Sequence, residues 1–148
     1  MISAIVSSLH VLALALGLPA VFLRGRALKG ALDGDGLRRL LAADNVWGLA
    51  AVLWIVTGLL RAFGGLEKGT EFYLQSRLFW VKMALFASVL LLEIRPMVTF
   101  IRWRRRLARG QSVDTSSARS LYTINHVELA IVVILVFVAS FMARGFGH

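Results

Sequence analysis

Long apolar stretches alternate with short polar segments along this chain. Four of the stretches are about 20 residues long, the length that an α-helix needs to cross the hydrocarbon core of a bilayer. The pattern predicts spans near residues 2–23, 44–63, 77–99 and 122–144. Since nothing remains for a soluble domain, we predict an all-α fold, an integral membrane four-helix bundle that forms a single domain over residues 1–148.

The composition supports a membrane protein and narrows the candidate chemistry. Hydrophobic residues make up 58% of the 148 residues, well above the share in a soluble domain. The sequence has no cysteine, which excludes disulfides, thiol catalysis and cysteine-ligated metals. It also has no phosphate-binding loop and no zinc-ligand spacing. The candidate chemistry therefore has to come from polar side chains inside the spans.

The net charge of +9 is concentrated in two segments, residues 24–43 and 101–121. Because loops rich in lysine and arginine stay in the cytoplasm, both termini are predicted on the outer side of a bacterial inner membrane, in a multi-pass protein. The arginines between Arg102 and Arg109 predict a basic interfacial helix after the third span that binds anionic lipid headgroups. We expect no nucleic-acid partner, since topology accounts for the positive charge.

Several polar side chains lie inside the predicted spans, where charge is costly unless it faces other helices or a cavity. In the third span, Lys82 and Glu93 are separated by three helical turns and point in nearly the same direction. His10 and Lys82 are predicted to form a polar layer nearer the outer side. Counting depths along the helices predicts a second, inner layer formed by Asp44, Glu93, Arg95, Asn125 and Glu128.

These side chains have structural and functional interpretations. The inner layer is either a network that locks the helices together, with Asp44 and Arg95 among its buried members, or a proton path or acidic substrate site. Asp44 would also cap the N-terminus of the second span. His10 is hydrogen-bonded to a neighbouring helix, ligates haem, or carries a proton. Small residues of the second span, among them Gly48 and Gly58, predict close helix packing.

Three segments carry a resemblance to known families. SSLHVLALALGLPAVFLRGRAL contains His10, RLFWVKMALFASVLLL contains Lys82, and LYTINHVELAIVVILVFV contains Asn125. With them the chain resembles a family of small four-span bacterial inner-membrane proteins of unassigned function and, more distantly, the HemJ-type protoporphyrinogen oxidases. The latter resemblance implies haem b, with His10 as the metal ligand and Lys82 as a substrate contact. Those enzymes have a histidine two residues before the lysine, where this chain has Trp80, so a bis-histidine haem is not available at that site.

Three functions follow as hypotheses. The first is a HemJ-like porphyrin- or haem-associated oxidoreductase. The second is a non-enzymatic protein for proton or small-solute permeation, working as a homo-oligomer, with a hydrated path from Glu93 and Glu128 to Lys82. The third is a structural membrane subunit in which the charges only hold the helices together. The candidate catalytic residues are Lys82, Asn125, Glu93 and Glu128.

Overall fold

The computed structural model describes residues 1–66 and 70–147. Every regular element in these two ranges is helical. The helices are α1 (Ile2–Lys29), α2 (Gly34–Phe63), α3 (Thr70–Gln75), α4 (Arg77–Ala108) and α5 (Ala118–Ala143). All but the short α3 are long and apolar enough to cross a membrane. The predicted four-helix membrane bundle is therefore confirmed.

The four long helices run alternately up and down. α1 packs against α2 and α5, and α4 packs against α5. The α1–α2 and α4–α5 connections lie at one end of the bundle, which we call the basic end because the arginine-rich segments are there. At the opposite end, the backbone N–H of Arg77 donates to the carbonyl of Gly147 at 2.9 Å, so the end of the chain lies beside the start of α4.

The first two helices extend further toward the basic end than the hydrophobicity pattern predicts. α1 continues to Lys29 and α2 begins at Gly34, so only residues 30–33 connect them. Asp33 starts α2 as a side-chain N-cap, since its Oδ1 accepts a hydrogen bond from the backbone N–H of Gly36 at 2.8 Å. The prediction that Asp44 caps this helix is therefore wrong, because Asp44 lies well inside it.

α4 is one helix that includes the basic segment after the third predicted span. This segment is helical as expected and is the continuation of α4. The helix also continues through Pro96, although a proline has no N–H to donate to the carbonyl of Leu92. Burial explains the extension: Phe100 and Trp103 lie on one face of the segment and pack with Leu121 of α5, whereas most of the neighbouring arginines are exposed.

α1 and α2 approach each other closely at Gly17. A Cβ atom on Gly17 would lie 3.1 Å from Cβ of Ala50 and 3.4 Å from the ring of Trp47. Gly48, which was predicted to lie in a helix contact, is exposed, and an added Cβ there would meet no atom of the described residues within 4 Å. The close approach therefore uses the face of α2 that carries Trp47 and Ala50.

Local hydrogen bonds shape the connection between α4 and α5. Gly110 has a φ of +66° and follows the C-terminus of α4, where a left-handed glycine is common. Asp114 accepts a hydrogen bond from the backbone N–H of Ser116 at 2.9 Å, and this bond lowers the pKa of the exposed Asp114 carboxyl. The chain reverses direction through this connection, and α5 begins at Ala118.

Candidate functional site

Arg24 is the centre of a buried polar site that joins all four long helices. Its side chain is 0% exposed. Nε donates to Oδ1 of Asn125 on α5 at 2.7 Å. Nη1 donates to Asp44 on α2 at 3.0 Å and to Oε1 of Glu93 on α4 at 2.7 Å. Nη2 donates to Oε2 of Glu93 at 2.9 Å and to Oε2 of Glu128 on α5 at 2.5 Å. We call these five residues the Arg24 cluster.

The surroundings of Arg24 suit a guanidinium specifically. Its pair with Glu93 is bidentate, a geometry that the planar arginine fork favours and that lysine cannot reproduce. The rings of Trp47 and Phe100 lie 5.7 and 5.8 Å from the guanidinium carbon, within the range of cation–π contacts. Trp47 also donates from Nε1 to Oε2 of Glu93 at 3.1 Å. Together these contacts compensate for the hydration that a buried cation loses.

Arg104 closes the cluster on the side of the basic end. Its Nη2 donates to Oδ2 of Asp44 at 2.9 Å, to Oδ1 of Asn45 at 2.7 Å and to the carbonyl of Leu41 at 3.1 Å. Asp44 is therefore shared by two guanidinium groups. Because the Arg104 side chain is 32% exposed while that of Arg24 is fully buried, Arg104 connects the buried cluster with the surface of the basic end.

The site holds more carboxyl groups than cations. Arg24 and Arg104 supply two positive charges, and Asp44, Glu93 and Glu128 supply three carboxyl groups. Glu128 is 0% exposed, and its Oε1 has no hydrogen-bond partner among the described residues. Full ionisation of the three acids would therefore leave one uncompensated negative charge in the interior, which is a costly arrangement.

Helical periodicity brings Arg24 to this position. On α1 it continues a buried stripe that includes Ala13, Gly17 and Val21, with steps of three and four residues. On α5, Asn125 and Glu128 occupy the same kind of stripe, which also contains Leu121 and Val132. Arg24, Asn125 and Glu128 therefore lie on helix faces whose other residues are mostly apolar and point into the bundle.

Asn125 fixes the position of the Arg24 side chain from α5. Its Oδ1 accepts from Arg24, and its Nδ2 donates to the backbone carbonyl of Val21 at 2.9 Å. Gly25 makes room for this amide, because a Cβ atom at that position would lie 2.6 Å from Nδ2. Asn125 and Gly25 thus act as positioning residues for the guanidinium.

The structure brings together four of the five residues predicted for the inner layer. Asp44, Glu93, Asn125 and Glu128 all contact Arg24. Arg95 is exposed and lies outside the cluster, because residues two apart on a helix do not face the same way and Glu93 points inward. The cation at the centre is Arg24, which belongs to the first basic segment and is not among the residues that the sequence predicts for the inner layer. Trp47 and Arg104 also contact these acids without being predicted to do so. The sequence does contain one indication of a further cation: three acids, Asp44, Glu93 and Glu128, are predicted at the same depth, and buried acids need positive charge nearby.

His10 lies far from the Arg24 cluster. Fourteen residues separate it from Arg24, which corresponds to about 21 Å along α1. The ring nitrogen Nδ1 forms a hydrogen bond with Oγ1 of Thr57 on α2 at 2.8 Å, and the ring lies 5.9 Å from that of Trp54. This contact is the hydrogen bond to a neighbouring helix that one interpretation of His10 predicts. Lys82 is half-buried on α4, about 16 Å from Glu93 along the helix.

The described residues do not fit a haem held as in the HemJ-type enzymes. The position of the second histidine is occupied by Trp80, whose Nε1 donates to the carbonyl of Leu74 at 3.0 Å and whose side chain is exposed. His10, the implied ligand, is engaged through Nδ1 with Thr57. We therefore derive no chemical step through haem.

Comparison with known proteins identifies a family. The model of a family described as "Predicted membrane protein (DUF2214)" matches residues 2–147. No curated protein and no solved structure matches the chain. The distant resemblance to HemJ-type enzymes therefore stays a prediction.

Proposed function

Since the chain belongs to that family of membrane proteins, we propose that it is a non-enzymatic proton-relay protein whose Arg24 cluster takes up and releases one proton. The observation that carries this proposal is the surplus carboxyl group, together with the buried, unpartnered Oε1 of Glu128. A proton on Glu128 would leave two carboxylates facing two guanidinium groups, so that the cluster is neutral. Release of that proton creates a buried charge that the present geometry does not satisfy.

The proton would reach the cluster from the basic end. Arg104, which contacts the cluster there, is 32% exposed, and within the cluster the side chains of Asp44 and Glu93 are 13% and 20% exposed. On the other side, the space lined by Leu14, Gly17 and Trp54 is too narrow to hold a water molecule. Transfer onward, toward His10 and Lys82, would therefore require the helices to separate on that side.

Glu128→Gln tests the relay. We expect this variant to lose pH-driven proton uptake into liposomes loaded with a pH-sensitive dye, because the glutamine amide cannot exchange the proton. It should stay folded, since one oxygen can still accept from Arg24 and the remaining two carboxylates balance two cations. Asp114→Asn, a change of the same kind at an exposed position, should leave uptake unaffected. Equal uptake by wild type and Glu128→Gln would refute the relay and favour a purely structural site.

The bound proton itself is also measurable. Infrared difference spectra recorded between neutral and alkaline buffer, where exposed carboxyl groups stay ionised, should contain the C=O stretch of a protonated carboxylic acid in wild type, and this band should be missing in Glu128→Gln. Persistence of the band in that variant would place the proton on another acid of the cluster and overturn the role of Glu128.

The second candidate is the HemJ-like porphyrin- or haem-associated oxidoreductase, with His10 and Lys82 as its residues. The position of His10 inside the span of α1 favours it. Because the residues around His10 do not fit that site, we expect detergent-purified protein to show no Soret band, even after expression with a haem precursor. A Soret band that disappears in His10→Ala would favour the oxidoreductase over the relay.

The location, lipid contacts and oligomeric state of the protein are also part of this proposal. We propose a bacterial inner membrane as its location, with the basic end in the cytoplasm and both termini outside. The exposed arginines between Arg102 and Arg109 would then lie at the level of anionic headgroups. We also propose a homo-oligomer, because separation of the helices during relay is easier when neighbouring copies shield the exposed polar groups.

A further inference from the structure

A groove of about 730 Å³ runs along the outside of α1 and α2 in the half of the bundle at the basic end. This volume is typical of sites for small ligands. Small and apolar side chains form most of its wall, and it is open toward the surroundings of the bundle, since Leu16, Leu23 and Val46 on its wall are each 42% exposed or more. Two arginines, Arg26 and Arg39, also line it.

The length of the groove corresponds to one leaflet of a bilayer. Ala15 and Arg26, which both line it, are eleven residues apart on α1, or about 16 Å along the helix axis. Half of a hydrocarbon core that is about 30 Å thick measures about 15 Å. An apolar wall that begins near the middle of the span therefore ends in cations close to headgroup level.

The two arginines are available for an external anion. Both are exposed, and neither forms a salt bridge within residues 1–66 and 70–147. The neighbouring Arg38 differs, because it pairs with Asp35 at 3.2 Å and does not line the groove. An apolar slot with two cations at one end is complementary to a molecule that has a long apolar tail and an anionic head.

We propose that this groove binds one anionic phospholipid of the leaflet at the basic end. One acyl chain lies along the small side chains of α1 and α2, and the phosphate is held between Arg26 and Arg39. Basic pockets between membrane helices recognise anionic lipid headgroups in this way. The site is independent of the Arg24 cluster and of the proposed relay.

Native mass spectrometry of the purified chain tests the site. The protein is released from micelles that contain equal amounts of phosphatidylglycerol and phosphatidylcholine, and we expect wild type to retain one phosphatidylglycerol. The double variant Arg26→Gln/Arg39→Gln should bind it about 30-fold more weakly, since each arginine near a headgroup contributes about 1 kcal/mol. Arg38→Gln/Arg105→Gln removes the same charge outside the groove and should retain the lipid. Equal loss in both double variants, or equal retention of phosphatidylcholine by wild type, would overturn the proposal.

A second variant tests the apolar part without changing charge. Ala42→Phe places a ring in the groove from α2 and should also reduce retention of phosphatidylglycerol, whereas Leu49→Phe, on an exposed face outside the groove, should not. Unchanged retention in Ala42→Phe would contradict an acyl chain in the groove. A lipid-free dimer that Ala42→Phe dissociates would also overturn the proposal, because the groove would then be covered by a second copy.

Discussion

Arg24→Met should lower the free energy of unfolding by about 3–5 kcal/mol, the cost of breaking a buried charge pair by removing one partner. The loss arises because Asp44, Glu93 and Glu128 would remain in the interior with only Arg104, which contacts Asp44, to compensate them. Methionine fills much of the same space, so the effect reports the charge and not a cavity. The midpoint of unfolding in a denaturing detergent, followed by circular dichroism, measures it.

Two further variants define the origin of the Arg24 effect. Arg24→Lys keeps the charge but loses the bidentate pair with Glu93, and should fall between wild type and Arg24→Met. Arg105→Met removes an exposed arginine near the end of α4 and should change stability by no more than about 0.5 kcal/mol. If Arg24→Met were as stable as Arg105→Met, the cluster would not be a charge-balanced core.

Gly25→Ala and Gly48→Ala should change stability in opposite directions. An alanine at position 25 would place its Cβ 2.6 Å from Nδ2 of Asn125, so that the amide has to leave Arg24 and the carbonyl of Val21. A lost hydrogen bond to a charged group costs about 1.5–3 kcal/mol. An alanine at position 48 meets no described atom within 4 Å and should gain up to about 1 kcal/mol, because alanine favours a helix over glycine.

The same unfolding assay measures the glycine pair. Both substitutions add one methyl group to the interior of a helix in the same protein, so the helix preference of alanine acts equally in both and the difference isolates the contact with Asn125. Stabilisation by Gly25→Ala would contradict the close approach of α1 and α5 at the cluster. A strong loss in Gly48→Ala would place that face of α2 in a helix contact.

The four spans and the inner polar layer could be predicted from the sequence because both depend on local pattern. Apolar length defines a span, and counting residues from its end gives the depth of Glu93 or Glu128. Asn125 and Asp44 were found in the same way. These predictions need no knowledge of how the helices pack.

The centre of the site could not be predicted in this way, because its environment depends on the other helices. Arg24 follows an apolar run, and an arginine in that position normally extends to the headgroups. Burial of the Arg24 guanidinium becomes favourable only because acids on α2, α4 and α5 pack against it. The end of a hydrophobic run is also a poor guide to the end of a helix: Leu37 and Leu40 extend α2 beyond the apolar segment because they pack against Phe100 and Leu121.

The four-residue turn between α1 and α2 has a consequence for biogenesis. It lets these two helices form a hairpin in which Arg24 and Asp44 can pair before the rest of the chain is synthesised. The acids of α4 and α5 are synthesised later and would then dock onto a guanidinium that is already in place. The N-terminal hairpin would thus serve as the template on which the C-terminal half of the protein assembles.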